Sequence, residues 1–302
     1  MILDVIKVIN YSFVFLELSS KVTTRNLSVR ENQNGFCVNG RLLPSLFVIG
    51  IQKCGTTTLD GILSKFDKLS HGDMKEHHFF DHKNVTDAKY ISQFPKCRQN
   101  SQNIVRTYEA TPEYTDLSTH SAENIKSFYI KHGIPLNKIV FLAMVCPNSR
   151  RIPSYFYFCR KKGYLNPNIK EFNKWFDWML EHPEWMLDDT HDILRRGFYD
   201  EIFAKYFELF PENKFLFVDS QYAFDKMQKL GDFLAKELNL SKRQIPYIHK
   251  NVGTARKEEL TDFNQKRLNQ FYFKHERNFS DIVKTYKNAK TFPTNNFLDE
   301  WK

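Results

Sequence analysis

Metal-binding and disulfide patterns are scarce in this sequence of 302 residues. It contains no Cys-x-x-Cys pair and no Cys/His spacing typical of a metal site. Its five cysteines, an odd number, argue against a complete disulfide framework, although one or two bridges fit. It also has no internal repeat, no low-complexity tail and no nucleic-acid-binding motif. The sequence therefore predicts neither a bound metal nor a nucleic-acid partner.

The N-terminus lacks an uninterrupted hydrophobic run long enough to predict a transmembrane helix. Residues 1–18 are fairly apolar, but four polar or charged side chains interrupt them: Asp4, Lys7, Asn10 and Glu17. A weak signal peptide or signal anchor, with loose membrane association, stays open as an interpretation. We therefore divide the chain into a leader, residues 1–43, and one domain, residues 44–302.

Positive charge and aromatic residues are what the sequence has in excess. Lys and Arg total 44 against 35 Asp and Glu, so the net charge is +9. This charge favours anionic partners such as nucleotide phosphates, acidic glycans or a membrane surface, although a generally lysine-rich proteome explains it equally well. With 41% apolar residues and 28 Phe, the chain can bury a sizeable core.

Apolar runs and amphipathic stretches alternate along the chain. Strands are predicted at residues 46–50, 103–109, 138–145 and 214–219. Helices are predicted at residues 56–66, 119–131, 152–162, 170–180, 197–209, 223–238 and 258–287. This alternation predicts a single P-loop-like α/β domain with a mainly parallel central sheet flanked by helices. In such sheets, ligands bind at the carboxyl ends of the strands.

The stretch VIGIQKCGTTTL, residues 48–59, nearly matches the phosphate-loop pattern G-x-x-x-x-G-K-[ST]. Gly50 and Gly55 take the glycine positions, but Thr56 stands where the lysine belongs, and Lys53 lies inside the loop. A glycine loop that enters a helix presents backbone N–H groups at the positive end of the helix dipole. The pattern predicts a phosphate site, whereas threonines that only cap a helix are the plainer interpretation.

The position of the lysine bears on the reaction class. A P-loop kinase or NTPase needs its lysine after the second glycine, and an acidic magnesium ligand at the end of another strand. Asp219, after the run KFLFVD, is a candidate acid, but the lysine is misplaced. This alternative stays open beside another, a non-catalytic binder of anionic glycans or nucleotides.

Two further motifs carry groups suited to chemistry on a hydroxyl. KEHHFFDH, residues 75–82, places Glu76 three residues before a Phe pair, and a carboxylate can take the proton of an alcohol. CPNSRRIPSYFYF, residues 146–158, places Arg151 and Ser154 three residues apart after a predicted strand, and arginine suits bidentate phosphate contact. A surface carboxylate and a basic helix N-terminus without a ligand are the plainer interpretations.

Together, the loop and these two motifs resemble the sulfotransferases that use 3′-phosphoadenosine 5′-phosphosulfate, PAPS. The likeness spans residues 46 to about 285 and is nearer to the Golgi-type carbohydrate enzymes, which include the heparan-sulfate type, than to the cytosolic phenol and steroid type. It implies transfer of the sulfuryl group from PAPS to a hydroxyl of a carbohydrate or small-alcohol acceptor, with no metal. The family type favours the Golgi lumen, and the missing clean signal sequence favours the cytosol.

The resemblance also implies roles for individual residues. Glu76 takes the place of the catalytic base, with His77 or His78 as rivals, and Lys53 takes that of the lysine that contacts the leaving phosphate oxygen. The implied cofactor contacts are Gln52, Lys53, Cys54, Gly55, Thr56, Thr57, Thr58, Arg151, Ser154, Gly253, Arg256 and Lys257. Arg151 and Ser154 are matched to the 3′-phosphate, and the last three to a loop that closes over the cofactor.

The sequence departs from the family pattern at three places. One is Val145, which stands two residues before Pro147, where an arginine is frequent. The separation from Pro147 to Ser154 is one residue longer than usual, so Arg150 can share or take the role of Arg151. In YEATPEY, which resembles the TP-x-Y segment near the acceptor, Ala110 stands where a lysine is common. One basic contact to the acceptor is therefore expected to be missing.

Overall fold

The computed structural model describes residues 35–82, 85–97, 106–165, 168, 170–182, 193–248, 260–295, 297–298 and 301. Its strands are β1 Cys37–Val38, β2 Arg41–Leu42, β3 Pro44–Gly50, β4 Leu69–Ser70, β5 Arg106–Glu109, β6 Val140–Val145, β7 Lys214–Asp219 and β8 Ala289–Phe292. Its α-helices are α1 Thr56–Leu63, α2 Asp87–Ser92, α3 Ser121–Lys131, α4 Asn148–Lys162, α5 Phe172–Glu181, α6 Tyr199–Leu209, α7 Ser220–Phe224, α8 Met227–Glu237 and α9 Asp262–Thr285.

Six of these strands form one sheet in the order β4–β5–β3–β6–β7–β8. Every neighbouring pair in it is parallel, and helices pack on the sheet. The predicted α/β class with a mainly parallel sheet is therefore confirmed. Because β5, β3 and β6 are adjacent and parallel, the segments that follow them emerge side by side at the carboxyl edge of the sheet.

The two faces of the sheet bury alternate residues of the same strands, as the two-residue period of a strand requires. In β6, Phe141 packs in one apolar cluster with residues of α3, α6 and α9. Its neighbour Leu142 packs in a second cluster with residues of α1 and α8. Phe141 itself stacks between Phe47 and Phe215, at centroid distances of 6.0 and 4.9 Å. Burial on both faces explains why the central strands are continuous apolar runs.

The structure contains short strands that the apolar periodicity of the sequence does not predict. β8 has the sequence AKTF, in which only Phe292 is buried, so its periodicity is too weak to indicate a strand. The short β1–β2 hairpin lies within residues 1–43, which are predicted to be a leader. Phe36 and Leu43 are nevertheless buried in the main cluster. Residues 35–43 thus belong to the packed part of the chain.

Residues 1–34, which include the possible signal or anchor, lie outside the described residues. Among the helices that the structure does describe, none combines the length and apolar character needed to cross a bilayer.

Two disulfides connect distant parts of the fold. Cys37 of the hairpin is bonded to Cys97, and Cys54 of the glycine loop is bonded to Cys146, which follows β6. Cys159 is a buried free thiol. The second bridge closes a loop of 92 residues and joins two segments that leave neighbouring strands. It therefore couples the glycine loop covalently to the start of α4.

We expect replacement of Phe141 by Ala to lower the free energy of unfolding by about 3–5 kcal/mol, because it removes a completely buried ring from a stacked cluster. Urea denaturation measures this change. Phe273→Ala is the matched control, since the Phe273 side chain is 64% exposed on α9. Equal stability of the two variants would contradict the packing described here.

Removing the bridge between Cys54 and Cys146 by replacing both with Ala is expected to destabilise the fold by roughly 2–5 kcal/mol, since the unfolded chain regains the entropy of a long loop. Thermal unfolding followed by circular dichroism measures the loss. Cys159→Ala, which breaks no bridge, serves as the control. A double variant that melts with the control would show that the bridge does not stabilise the protein.

Candidate functional site

The glycine loop lies between β3 and α1 and makes a sharp turn. Gly55 has a φ of 103°, and a Cβ added there would lie 2.6 Å from the ring of Phe224. Only glycine fits this conformation and this space. α1 begins at the next residue, Thr56, and its N-cap Gly55 provides no side-chain cap. The N–H groups of the first turn of a helix lie at the positive end of its dipole. The turn and the helix start together can present donors to an anion.

The predicted loop residues differ in their exposure. Thr56 and Thr58 are buried, whereas Thr57 is half-buried. Lys53 is also half-buried, and its Nζ lies 4.6 Å from the centroid of the Phe158 ring on α4, a cation–π contact. The half-buried residues of the loop are therefore Gln52, Lys53, Gly55 and Thr57.

Cys54 uses both its sulfur and its N–H within the fold. Its sulfur is bonded to Cys146, and its N–H donates to the Ile51 carbonyl at 3.0 Å. The Tyr199 hydroxyl, which lies 3.7 Å from the Cys54 sulfur, donates to the Cys146 carbonyl at 3.0 Å. Cys54 thus shapes the loop and holds it against the segment before α4.

The two arginines at the start of α4 have different surroundings. Arg151 is completely buried, donating from Nε to Asn148 Oδ1 at 2.9 Å and from Nη2 to the Ile193 carbonyl at 2.8 Å. Arg150 is exposed, and its guanidinium lies 5.3 Å from the centroid of the Phe224 ring that packs at Gly55. Arg150, not Arg151, therefore has an exposed charge beside the glycine loop.

Ser154 completes this part of the site. It is half-buried and lies four residues after Arg150, so the two side chains share one face of α4. Arg151 holds the segment at residue 193 through Nη2, and its buried Nη1 has no hydrogen-bond partner among the described residues. The pairing of Ser154 with Arg151 at a phosphate stays a prediction. The sequence pattern alone could not tell which arginine is turned inward.

The segment KEHHFFDH gives its two leading histidines different environments. His77 is buried, and both ring nitrogens are engaged: Nδ1 with Gln93 Oε1 at 2.6 Å and Nε2 with the His71 carbonyl at 2.9 Å. His77 is therefore a structural residue. His78 is half-buried, with Nδ1 2.7 Å from Asp81 Oδ2 and Nε2 3.7 Å from Glu76 Oε2.

Charge pairing sets the protonation of Glu76 and His78. Hydrogen bonds to Asp81 and Glu76 raise the pKa of His78 to about 10, against the opposing effect of burial. Burial would raise the pKa of Glu76, but hydrogen bonds from His78 and Lys75 outweigh it and lower this pKa to about 2. At neutral pH, His78 is protonated and Glu76 is ionised. Of the two, only Glu76 can act as a base there.

His78, Asp81 and His82 place three ligand-type atoms within 4.8 Å of one another. His78 and Asp81 lie close together because they form a hydrogen-bonded ion pair.

Sequence reasoning missed two glutamates of the segment YEATPEY. Glu109 ends β5 and is completely buried, where it accepts hydrogen bonds from Tyr90, Thr111 and Tyr114. Burial raises its pKa, and these donors partly offset the effect. Glu109 thereby holds the segment that carries Glu113, whose Oε1 accepts a hydrogen bond from Gln52 Nε2 at 2.5 Å. The TP-x-Y pattern predicts the segment, but Glu113 stands at its variable position, to which the pattern assigns no role.

A polar network ties the glycine loop to this segment. Gln52 Oε1 accepts from Arg196 Nη1 at 3.4 Å, and Arg196 also pairs with the buried Asp116. Gln52, predicted as a cofactor contact, therefore bridges the glycine loop to the segment YEATPEY. The remaining predicted residues Gly253, Arg256 and Lys257 lie outside the described residues.

Comparison with known proteins identifies the family. A family model described as a sulfotransferase domain matches residues 43–301. A crystal structure of a sulfotransferase from Alicyclobacillus acidocaldarius has a similar fold, with a TM-score of 0.61 and 16% sequence identity over 80% of this chain and 96% of that one. No curated protein matches the chain. Because the family model matches residues 43–301, much more than half of the chain, this chain belongs to the sulfotransferase family, whose enzymes transfer sulfuryl groups.

Proposed function

We propose that this protein transfers the sulfuryl group of PAPS to a hydroxyl of a carbohydrate or small-alcohol acceptor. The contact between Gln52 and Glu113 is the observation that carries the proposal. It joins the phosphate-type loop to a residue whose carboxylate lies within 4.8 Å of Glu76 and His78. A loop suited to an anionic donor and a carboxylate suited to a hydroxyl therefore adjoin at one edge of the sheet.

The residues around the loop fit a nucleotide with two phosphate groups. The turn at Gly55 leaves no room for a side chain, and the start of α1 offers N–H groups for the 5′-phosphosulfate. Arg150 and Ser154 on α4 are assigned to the 3′-phosphate, which ATP lacks. When bound, PAPS supplies the sulfuryl group and a phosphate as the leaving group.

Each polar residue then has a separate task in the proposed mechanism. Lys53 stabilises the charge that develops on the departing phosphate oxygen, and stabilisation of this kind usually contributes more to catalysis than any other single effect. Glu76 is ionised and accepts the proton of the acceptor hydroxyl. His78, held protonated by Asp81, and Lys75 keep the Glu76 carboxylate in place. None of these tasks requires a metal ion.

We propose an oxidising compartment, such as the lumen of the Golgi, as the place of action. Two disulfides among the described residues support this, since such bonds persist in secretory compartments and are rare in the cytosol. The proposed weak membrane association of the N-terminus would fit the same compartment.

Asp219, the candidate magnesium ligand of the kinase or NTPase alternative, is hydrogen-bonded within the fold. Asp219 is buried, and its carboxylate caps α7 by accepting from the Gln221 N–H at 2.9 Å. It also accepts from the indole N–H of Trp301 at 3.1 Å. Both carboxylate oxygens of Asp219 thus accept hydrogen bonds from the protein, so we prefer the phosphosulfate assignment.

We expect the protein to bind PAP, the desulfated donor, far more tightly than ADP in isothermal titration without magnesium. Replacing Arg150 with Ala removes a charge-assisted hydrogen bond of about 1.5–3 kcal/mol and should weaken PAP binding roughly 10- to 150-fold. ADP binding should not change, because ADP has no 3′-phosphate.

Arg160→Ala is the matched control for this experiment, since Arg160 is exposed on the same helix and bonds only the Lys170 carbonyl among the described contacts. PAP binding that is equal to ADP binding, or equal in the Arg150 and Arg160 variants, would contradict the 3′-phosphate assignment.

Glu76→Gln should lower kcat roughly 10²- to 10⁴-fold, the usual contribution of a general base, while PAP affinity stays the same. Glutamine has nearly the same shape but cannot take a proton. PAP release from PAPS in the presence of a hydroxyl acceptor measures the rate. Undiminished turnover in this variant would remove Glu76 from the role of base.

A further inference from the structure

The carboxylate of Glu113 is only half satisfied. Its Oε1 accepts the hydrogen bond from Gln52, whereas its Oε2 is buried and has no hydrogen-bond partner among the described residues. A buried carboxylate oxygen without a donor is costly, and native proteins rarely keep one without a use. Glu113 belongs to the 3₁₀ turn Pro112–Thr115. The Tyr114 hydroxyl of this turn accepts hydrogen bonds from the N–H groups of Phe79 and Phe80, in the segment that carries Glu76.

Glu113, Glu76 and His78 form a compact group. One ligand-type atom of each lies within 4.8 Å of the others. Two hydrogen bonds of about 2.7 Å to one shared atom can span such a separation. A single hydroxyl or water between the two carboxylates can therefore contact both of them.

We propose that Glu113 is the final proton acceptor of the reaction, so that the proton taken by Glu76 from the acceptor hydroxyl passes on to Oε2 of Glu113. This inference rests on the proposed function. The acceptor O–H bond breaks, the acceptor oxygen bonds to sulfur, and the bond from sulfur to the 5′-phosphate oxygen breaks. The proton neutralises Glu113 and later leaves to water, so no further reactant is needed.

The charges around the two carboxylates favour this direction of transfer. Burial raises the pKa of Glu113, the nearby negative charge of Glu76 adds to this, and His78 and Arg196 oppose it. The pKa of Glu76 lies at about 2, so a proton there is poorly held. Carboxylates whose surroundings separate their pKa values in this way commonly divide acid and base roles between them.

The test compares the wild type with Glu113→Gln in two independent measurements. The first is the ¹³C NMR titration of the full chain, labelled at glutamate side-chain carboxyl carbons, with PAP bound. A carboxyl resonance that titrates above the ordinary glutamate range should be present in the wild type and absent from Glu113→Gln. This measurement does not depend on turnover.

The second measurement is the pH profile of PAP release from PAPS, with water or methyl β-glucoside as acceptor. Glu113 must be ionised to take a proton, so the wild-type kcat should fall as the pH falls through its raised pKa. In Glu113→Gln this fall should move to lower pH, and kcat should drop roughly 10²-fold. PAP affinity should not change, because the Gln amide oxygen can still accept from Gln52.

Two variants separate proton transfer from a structural effect. Glu208→Gln removes an exposed carboxylate on α6 and should leave the profile unchanged. Glu113→Asp keeps an ionisable group and should restore part of the rate and the pH dependence.

A Glu113→Gln variant with wild-type turnover and an unshifted profile would overturn this inference alone. A loss of rate without a shift of the pH profile would also overturn it, because such a loss would show that Glu113 has only a structural role. No PAP release by the wild type with any acceptor would overturn the proposed function and this inference with it.

Discussion

The parallel pairing of β3 with β6 is the constraint on which the site depends. The two strands are adjacent and point the same way, so the glycine loop and the start of α4 must leave the sheet together. Apolar burial on both faces of β3 and β6 holds this pairing. The Cys54–Cys146 bridge and the contact of Lys53 with Phe158 then act on segments that the sheet has already brought together.

The proposed acceptor side of the site depends on a second arrangement, in which glutamate side chains form hydrogen bonds and ion pairs with close neighbours. Glu109 holds the TP-x-Y segment through the hydroxyls of Thr111 and Tyr114 and ties it to Tyr90 of α2. Gln52 connects that segment to the loop. Around this frame, the ion pairs of His78 and Lys75 keep Glu76 ionised, whereas burial favours the neutral form of Glu113. Two carboxylates in one site thus differ in proton affinity because their surroundings differ.

Much of the fold followed from periodicity, because β3, β6 and β7 are buried on both faces and show as continuous apolar runs. β8 escaped prediction since an edge strand with one buried ring has no such pattern. Among the site residues, Arg150 and Arg151 are neighbours of identical chemistry. Only the packing against the segment at residue 193 decides which of them is buried.

The sequence by itself determined the α/β class, the glycine loop with its internal lysine, and the motifs that led to the family. These are local features, encoded in the spacing of neighbouring residues. The tertiary structure decided the pairing of Cys54 with Cys146, the engagement of both His77 nitrogens, and the approach of Glu113 to Glu76. The physical reason is that burial and charge pairing depend on residues far apart in the chain, which only the folded sheet brings within contact.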